Sequence, residues 1–344
     1  MIGTQVLVDQ LHGRSAAALM RDGRLDDLLV DPPETMARPG AIYRARMGRP
    51  MKGMGGRMVS LPHGSGYIRQ AKNLAPGATV LVQVTGYAEP GKAVPVTPRI
   101  LFKSRFCIVT PDKPGANLSR SIKDEDSRAA LQALLSDIDM PDGLGVIIRS
   151  AAEGASEVAV TEDLTRTLAL AQAVIADPGG APELLLDGPT PDLLAWRDWA
   201  GRDDSEVITT AGCFATHGVL DAIDALVRPD EALPGGGHMF VEATRALVAV
   251  DVNTGADTSP AAGLKTNIAA ARALPRALRL RGLGGQIVLD VAPMAKKDRT
   301  VFEQALGAAL RACPVETTII GWTPLGHIEL SRKRERLPLT RTLP

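Results

Sequence analysis

Cysteine is scarce: the three thiols, Cys107, Cys213 and Cys313, stand far apart in 344 residues and form no Cys-x-x-Cys pair. That usage excludes a small disulfide-stapled fold and offers no zinc spacing, so the simplest reading is reduced, mostly buried thiols. Five scattered histidines supply no metal spacing either. No run of about 18 uncharged apolar residues occurs, which argues against a membrane-spanning helix. The opening stretch from Met1 to Asp9 has no charged leader and no long apolar core, reads as a strand, and leaves the cytoplasm as the expected location. A Gly-x-x-x-x-Gly-Lys-Ser/Thr loop is missing, and Gly235-Gly236-Gly237, which precedes a strand, reads as a turn; a P-loop phosphotransferase is therefore unsupported. Net charge is zero, which taken over the whole chain speaks against nucleic-acid binding.

The distribution of charge says otherwise. From Lys265 onward fourteen Lys and Arg face six Asp and Glu, while much of the compensating acid lies between Asp124 and Asp230. A basic C-terminal region suits a polyanion, although Arg272, Arg276 and Arg279, spaced i, i+4 and i+7, also read as one solvated helix face. A hydrophobic content of 45% supports ordinary cores, and the length allows more than one compact unit.

Two aspartates, Asp251 and Asp290, each close an apolar strand-like run. The first run is Ala246-Leu247-Val248-Ala249-Val250-Asp251-Val252-Asn253 and the second is Gly285-Gln286-Ile287-Val288-Leu289-Asp290-Val291, with a helical pattern over 262–281 between them. Strand, crossover helix and strand predict two parallel strands joined right-handedly, so both carboxylates emerge at one carboxyl edge. Neighbouring strands would bring them to roughly 4.8 Å. Carboxylates that close repel unless they share a proton or hold a cation, and Mg²⁺ suits a pair that leaves coordination positions for phosphate. Asn253 points the same way as Asp251. Asp at a strand end is also common as a plain solvated residue, and pattern alone leaves both readings open.

Beyond these patterns, particular stretches carry a resemblance. Residues 241–253, then Lys265-Thr266-Asn267, Leu278-Arg279-Leu280-Arg281-Gly282-Leu283-Gly284-Gly285, Ile287-Val288-Leu289-Asp290 and Gly326-His327-Ile328-Glu329-Leu330-Ser331-Arg332 resemble the catalytic core of the ribonuclease E/G family. Gly40-Ala41-Ile42-Tyr43 resembles its entry into an S1 domain, and Leu118-Ser119-Arg120 with residues 143–150 its 5′-end sensor.

The resemblance implies an α/β multi-subdomain fold: an RNase H-like subdomain (1–35 and 184–234), interrupted by an S1 barrel of the OB type (36–102) and a 5′-sensor-like region (103–183), then a DNase I-like α/β catalytic subdomain (235–344). Short β runs separated by Gly and Pro over 38–102 point to a small barrel independently. The resemblance further implies a Mg²⁺-dependent endoribonuclease that cuts single-stranded RNA and leaves a 5′-phosphate. Asp251 and Asp290 would be the metal ligands, and Asn253 would assist. Tyr67 and Lys92 would contact RNA on the barrel, and Arg120, Arg149 and Ser150 at the sensor. Lys265 and Arg279 would approach the substrate.

Several positions depart from the family pattern. Met58 replaces a second barrel aromatic, the loop Thr254 to Leu264 is short and lacks an arginine, and Pro324 stands where another arginine is common. Cys313-Pro314 precedes the last core strand and is not the family's zinc link, so any homo-oligomer is expected to form without one. A non-catalytic RNA-binding relative is the alternative these losses keep open.

Overall fold

The computed structural model describes residues 3–50, 55–69, 74–111, 113–201 and 205–343. The chain divides into two compact units, one formed by Met1–Pro33 with Glu206–Pro344 and the other by Glu34–Ser205.

In the Glu34–Ser205 unit, Ile42–Pro50, Arg57–Leu61, Gly64–Ile68, Val94–Thr97 and Thr79–Val84 pair in that order, and Thr79–Val84 pairs back onto Ile42–Pro50. The result is the closed five-stranded, OB-like barrel expected for this segment. Closure removes free edges, and the small interior is filled by Ala41, Ala45, Met47, Val59, Ile68, Val82, Val84 and Val96. Glu183–Leu186 adds a further antiparallel strand to Ile42–Pro50. The sequence reading places that strand at the start of 184–234; its ladder partners instead lie in the barrel sheet, and the unit runs to Ser205. Buried Arg44 reinforces the join, because its guanidinium is paired with both Asp177 and Glu183.

The same unit holds a four-stranded sheet ordered Gly115–Leu118, Leu144–Ile148, Cys107–Pro111 and Phe102–Lys103. Helices Glu125–Asp137 and Glu157–Ile175 contribute Leu131, Leu134, Leu135, Val160, Leu164 and Leu168 to its core. Each helix starts where an oxygen side chain satisfies an otherwise unpaired N–H: Asp124 accepts from Ser127 at 2.7 Å, and Ser156 from Ala159 at 3.3 Å.

The other unit carries two sheets. Glu206–Ile208 lies parallel beside Thr4–Leu11, which continues through Arg14–Arg21 to Arg24–Val30. The larger sheet runs Asp230–Ala232, His238–Ala243, Val248–Asn253, Gly285–Asp290, Ile328–Arg332 and Thr317–Trp322. Along its strands Met239, Val241, Val248, Val250, Val252, Ile287, Leu289, Ile328 and Leu330 are buried under helices Ala262–Leu280 and Arg299–Ala312. The intervening residues lie on the opposite, open face. No helix among the described residues is long and apolar enough to cross a membrane.

The three cysteines meet different surroundings. Burial pushes the Cys107 thiol up, and burial together with the nearby Asp9 carboxylate pushes Cys213 up to about 11. Around Cys313 burial also acts upward, but the guanidiniums of Arg332 and Arg279, each 3.5 Å from Sγ, outweigh it and lower the thiol. Thiolate is the nucleophile, so Cys313 is expected to alkylate first with iodoacetamide near neutral pH. Peptide mass spectrometry over time checks this; faster labelling of Cys107 or Cys213 would contradict it.

Candidate active site

Asp251 and Asp290 occupy the same register position on adjacent parallel strands, with Val248↔Ile287, Ala249↔Val288 and Val250↔Leu289 leading up to them. The crossover helix Ala262–Leu280 joins the two strands as the pattern predicts. Both carboxylates fall on the open face and are exposed. Asn253 donates from Nδ2 to Asp251 Oδ2 at 2.8 Å, which orients that carboxylate.

The backbone beyond Asp290 is held by a residue whose role spacing does not reveal. Asn267 is fully buried and forms a two-point clamp: Nδ2 donates to the Ala292 carbonyl at 2.8 Å, and Oδ1 accepts the Ala292 N–H at 2.9 Å. A turn earlier on the same helix, a Cβ at Gly263 would come within 2.0 Å of the Pro293 carbonyl, so only glycine lets the helix approach this segment. Asn267→Ala is expected to cost about 2–4 kcal/mol, because both Ala292 backbone groups lose their buried partner. Hydrogen exchange of the Ala292 amide measures it; unchanged protection would rule the clamp out.

His327 is the second residue that sequence reasoning passes over. It precedes strand Ile328–Arg332, which pairs antiparallel with the Asp290 strand, and its Nε2 lies 3.6 Å from Asp290 Oδ1. No sequence spacing signals this; it depends on which strand neighbours which. Lys265 is exposed in the first turn of the crossover helix, and its charge adds to the hydrogen bonds from Ser259 that hold the Asp257 carboxyl below its usual value.

Arg279 requires a correction. Expected to approach substrate, it is 7% exposed and ion-paired with Asp26 and Asp27, both at 3.3 Å, and it donates to the Asp26 carbonyl at 2.6 Å. Arg276 and Arg281 turn likewise to Glu231, leaving Arg272 exposed on that helix. A guanidinium taken out of water needs a counter-charge, and the acids of a distant strand supply it.

In the other unit, parallel pairing of Leu118 with Ile148 brings Arg120, Arg149 and Ser150 out at one sheet edge. Arg120 is exposed, and Ser150 opens a short 3-10 turn. Arg149 departs from the expected phosphate grip, since Nη1 donates to the Ser104 and Arg105 carbonyls and Nη2 pairs with Asp198 at 2.6 Å. Although burial acts upward on the Asp198 carboxyl, Arg197 and Arg149 outweigh it and hold the carboxyl low, so a phosphate would have to displace an ionised partner. On the barrel, Tyr67 stands opposite Met58 and Pro95, with its ring lying over Gly56. Lys92 is exposed in a neighbouring turn and pairs with Glu89 at 2.6 Å.

Among the described residues no three His, Cys, Asp or Glu side chains converge as a closed metal cage. The donors present are two exposed carboxylates with an amide and an imidazole beside them. That set fits Mg²⁺, which is commonly held by one or two carboxylates and keeps waters and phosphate oxygens as its other ligands.

Comparison with known proteins bears on the whole arrangement. The profile of the Ribonuclease E/G family matches residues 102–211 and 205–335. Ribonuclease E of Nostoc sp. is 33% identical over 76% of this chain, a stretch spanning 44% of that protein, so this similarity covers under half of the longer relative. Ribonuclease G of Haemophilus influenzae is 25% identical over 100% of this chain and 82% of its own length. Ribonuclease E of Escherichia coli is 28% identical over 76% of this chain and 28% of its own length. The match to the family profile runs through the barrel-adjacent sheet, the crossover helix and both aspartate strands, and the chain belongs to the ribonuclease E/G family.

Proposed function

We propose that the chain is a Mg²⁺-dependent endoribonuclease that cuts single-stranded RNA in the cytoplasm and leaves a 5′-phosphate on the downstream product. The observation that carries this reading is the Asp251–Asp290 pair, in register and open to solvent at one strand edge. Family membership and relatives named as ribonucleases support it. Asp251 and Asp290 would hold the ion, with Asn253 keeping the Asp251 carboxylate in place. When bound, Mg²⁺ supplies Lewis acidity toward water and the scissile phosphate and offsets carboxylate–phosphate repulsion. The protein's own contribution is positional. Asn267 fixes the backbone after Asp290, Lys265 presents a cation beside the edge, and the barrel face at Tyr67 and Lys92 offers an S1-type surface for unpaired RNA. On this reading 103–183 is the 5′-end sensor, the strands of 3–33 with 206–208 are RNase H-like, and 235–344 is DNase I-like.

One observation favours the non-catalytic alternative: Arg276, Arg279 and Arg281 are spent on internal ion pairs, and the 254–264 loop has no arginine to replace them. The deciding experiment incubates the chain with an AU-rich, 5′-monophosphorylated single-stranded RNA in Mg²⁺ and in EDTA. Cleavage only with Mg²⁺, with 5′-phosphate product ends, is the expected result. RNA retained but uncut in Mg²⁺ would replace the nuclease by the RNA-binding relative.

A further inference from the structure

Rings are few in this chain: three Trp, three Tyr and five Phe in 344 residues. Among the described residues two ring pairs form. One, Phe302 with Trp322 at 6.0 Å, includes a fully buried Phe and belongs to the core. The other, His238 with Phe240, meets edge to face at 5.2 Å and 85°. It lies on the open side of the larger sheet. Met239 and Val241, its alternating neighbours, are 0% and 3% exposed and point into the core, so His238 and Phe240 face away from it. Both are partly exposed, and neither contributes to the hydrophobic cluster beneath the sheet.

Register places this pair beside the candidate active site. Phe240 is directly opposite Asp251, and His238 directly opposite Asn253, on antiparallel strands. Opposed residues in such a pair share a face with Cβ atoms about 4.5–5.5 Å apart. Across the open face the row therefore reads Asp230, Phe240, Asp251, Asp290, with His327 at 3.6 Å from the last. The side chains directly opposed to Phe240 on this face are both acidic, Asp230 on one side and Asp251 on the other; the apolar Ala249 and Val288 lie one row away, opposite Glu242 and each other, so the ring has no apolar residue across from it. An aromatic surface next to two phosphate-directed carboxylates matches one ligand, the base of the nucleotide whose phosphate sits at the carboxylates.

We propose that Phe240, braced edge-on by His238, is the stacking platform for the nucleobase flanking the scissile phosphodiester. The platform adds selection at the cut site itself, because a base held in a duplex cannot turn its face onto the ring. This rests on the nuclease reading above, and it commits residues that reading does not use. Removing one base platform is expected to lower affinity, or cleavage at subsaturating RNA, on the order of 10-fold.

The test uses the full chain and single-stranded oligoribonucleotides carrying 2-aminopurine at successive positions, whose fluorescence falls when the base stacks. Binding is read in EDTA and cleavage in Mg²⁺. The native chain is expected to quench one position strongly. Phe240→Ala and Phe240→Leu are expected to lose that quenching, and Phe240→Trp to restore it, with cleavage following the same order. Leu keeps the apolar bulk, so native quenching in Phe240→Leu would overturn the platform by showing that the ring only fills space. Native cleavage with quenching indifferent to Phe240 would overturn it while leaving the nuclease intact. Phe240-dependent quenching in a chain that never cuts would uphold the platform and sink the nuclease.

Discussion

Asp251→Asn and Asp290→Asn are each expected to slow RNA cleavage by about three orders of magnitude or more, the scale of losing several kcal/mol of charge stabilisation in the transition state. Asn keeps the shape of the side chain and removes the anionic oxygen a hard cation needs. Stability is expected to move the other way. The two carboxylates face each other in register, and neutralising one relieves a repulsion of roughly 1 kcal/mol at a hydrated site. Without metal, each variant is therefore expected to be as stable as the native chain or slightly more so. Added Mg²⁺ is expected to raise the melting temperature of the native chain, since a ligand of the folded state stabilises it, and to have little effect on either variant. Native cleavage rates in both variants would remove the pair from the chemistry. Loss of cleavage together with loss of folding would instead show that the aspartates are structural.

Removal of Arg279 has a large expected effect on stability. Asp27 is almost wholly buried and receives both Arg279 at 3.3 Å and Arg336 at 3.0 Å. Burial alone would lower the Arg279 guanidinium, yet Asp27 and Asp26 outweigh it and hold the cation firmly charged. Truncating Arg279 removes one of the two cations that compensate buried Asp27 and leaves Arg336 to hold it alone, so Arg279→Ala is expected to cost about 3 kcal/mol, the low end for breaking a buried ion pair. Arg272→Ala, exposed on the same helix, is expected to stay within about 0.5 kcal/mol. Hydrogen exchange in Arg24–Val30 and Ala262–Leu280 reads the difference. If Arg279 served RNA instead, its loss would spare stability, weaken binding and flatten the salt dependence of affinity.

The arginines also show where a periodic pattern stops being informative. Spacing of i, i+4 and i+7 places Arg272, Arg276 and Arg279 toward one side of a helix, and the excess of base after Lys265 makes that side look like a polyanion track. The structure separates them: Arg272 meets water, Arg276 meets Glu231, and Arg279 meets Asp26 and Asp27. A one-dimensional charge count cannot register neutralisation by acids that lie 45 residues away for Arg276 and 253 away, at Asp26, for Arg279. The short motif at Arg149 is opaque for the same reason, since Asp198 and the Ser104 carbonyl reach it only after folding.

What the amino-acid sequence determined by itself was the local order: the barrel's short strands between Gly and Pro, the strand-helix-strand unit, and an aspartate closing each of its strands. Those follow from backbone restriction, side-chain periodicity and the handedness of crossovers, all of which act over short spans. Tertiary structure alone decided which strands became neighbours. It set Ile328–Arg332 beside Gly285–Asp290 and so brought His327 to Asp290, and it set His238–Ala243 beside Val248–Asn253 and so brought Phe240 to Asp251. Sheet order is settled by which faces bury together and by pairings between distant segments, and neither is written in the spacing along a single strand.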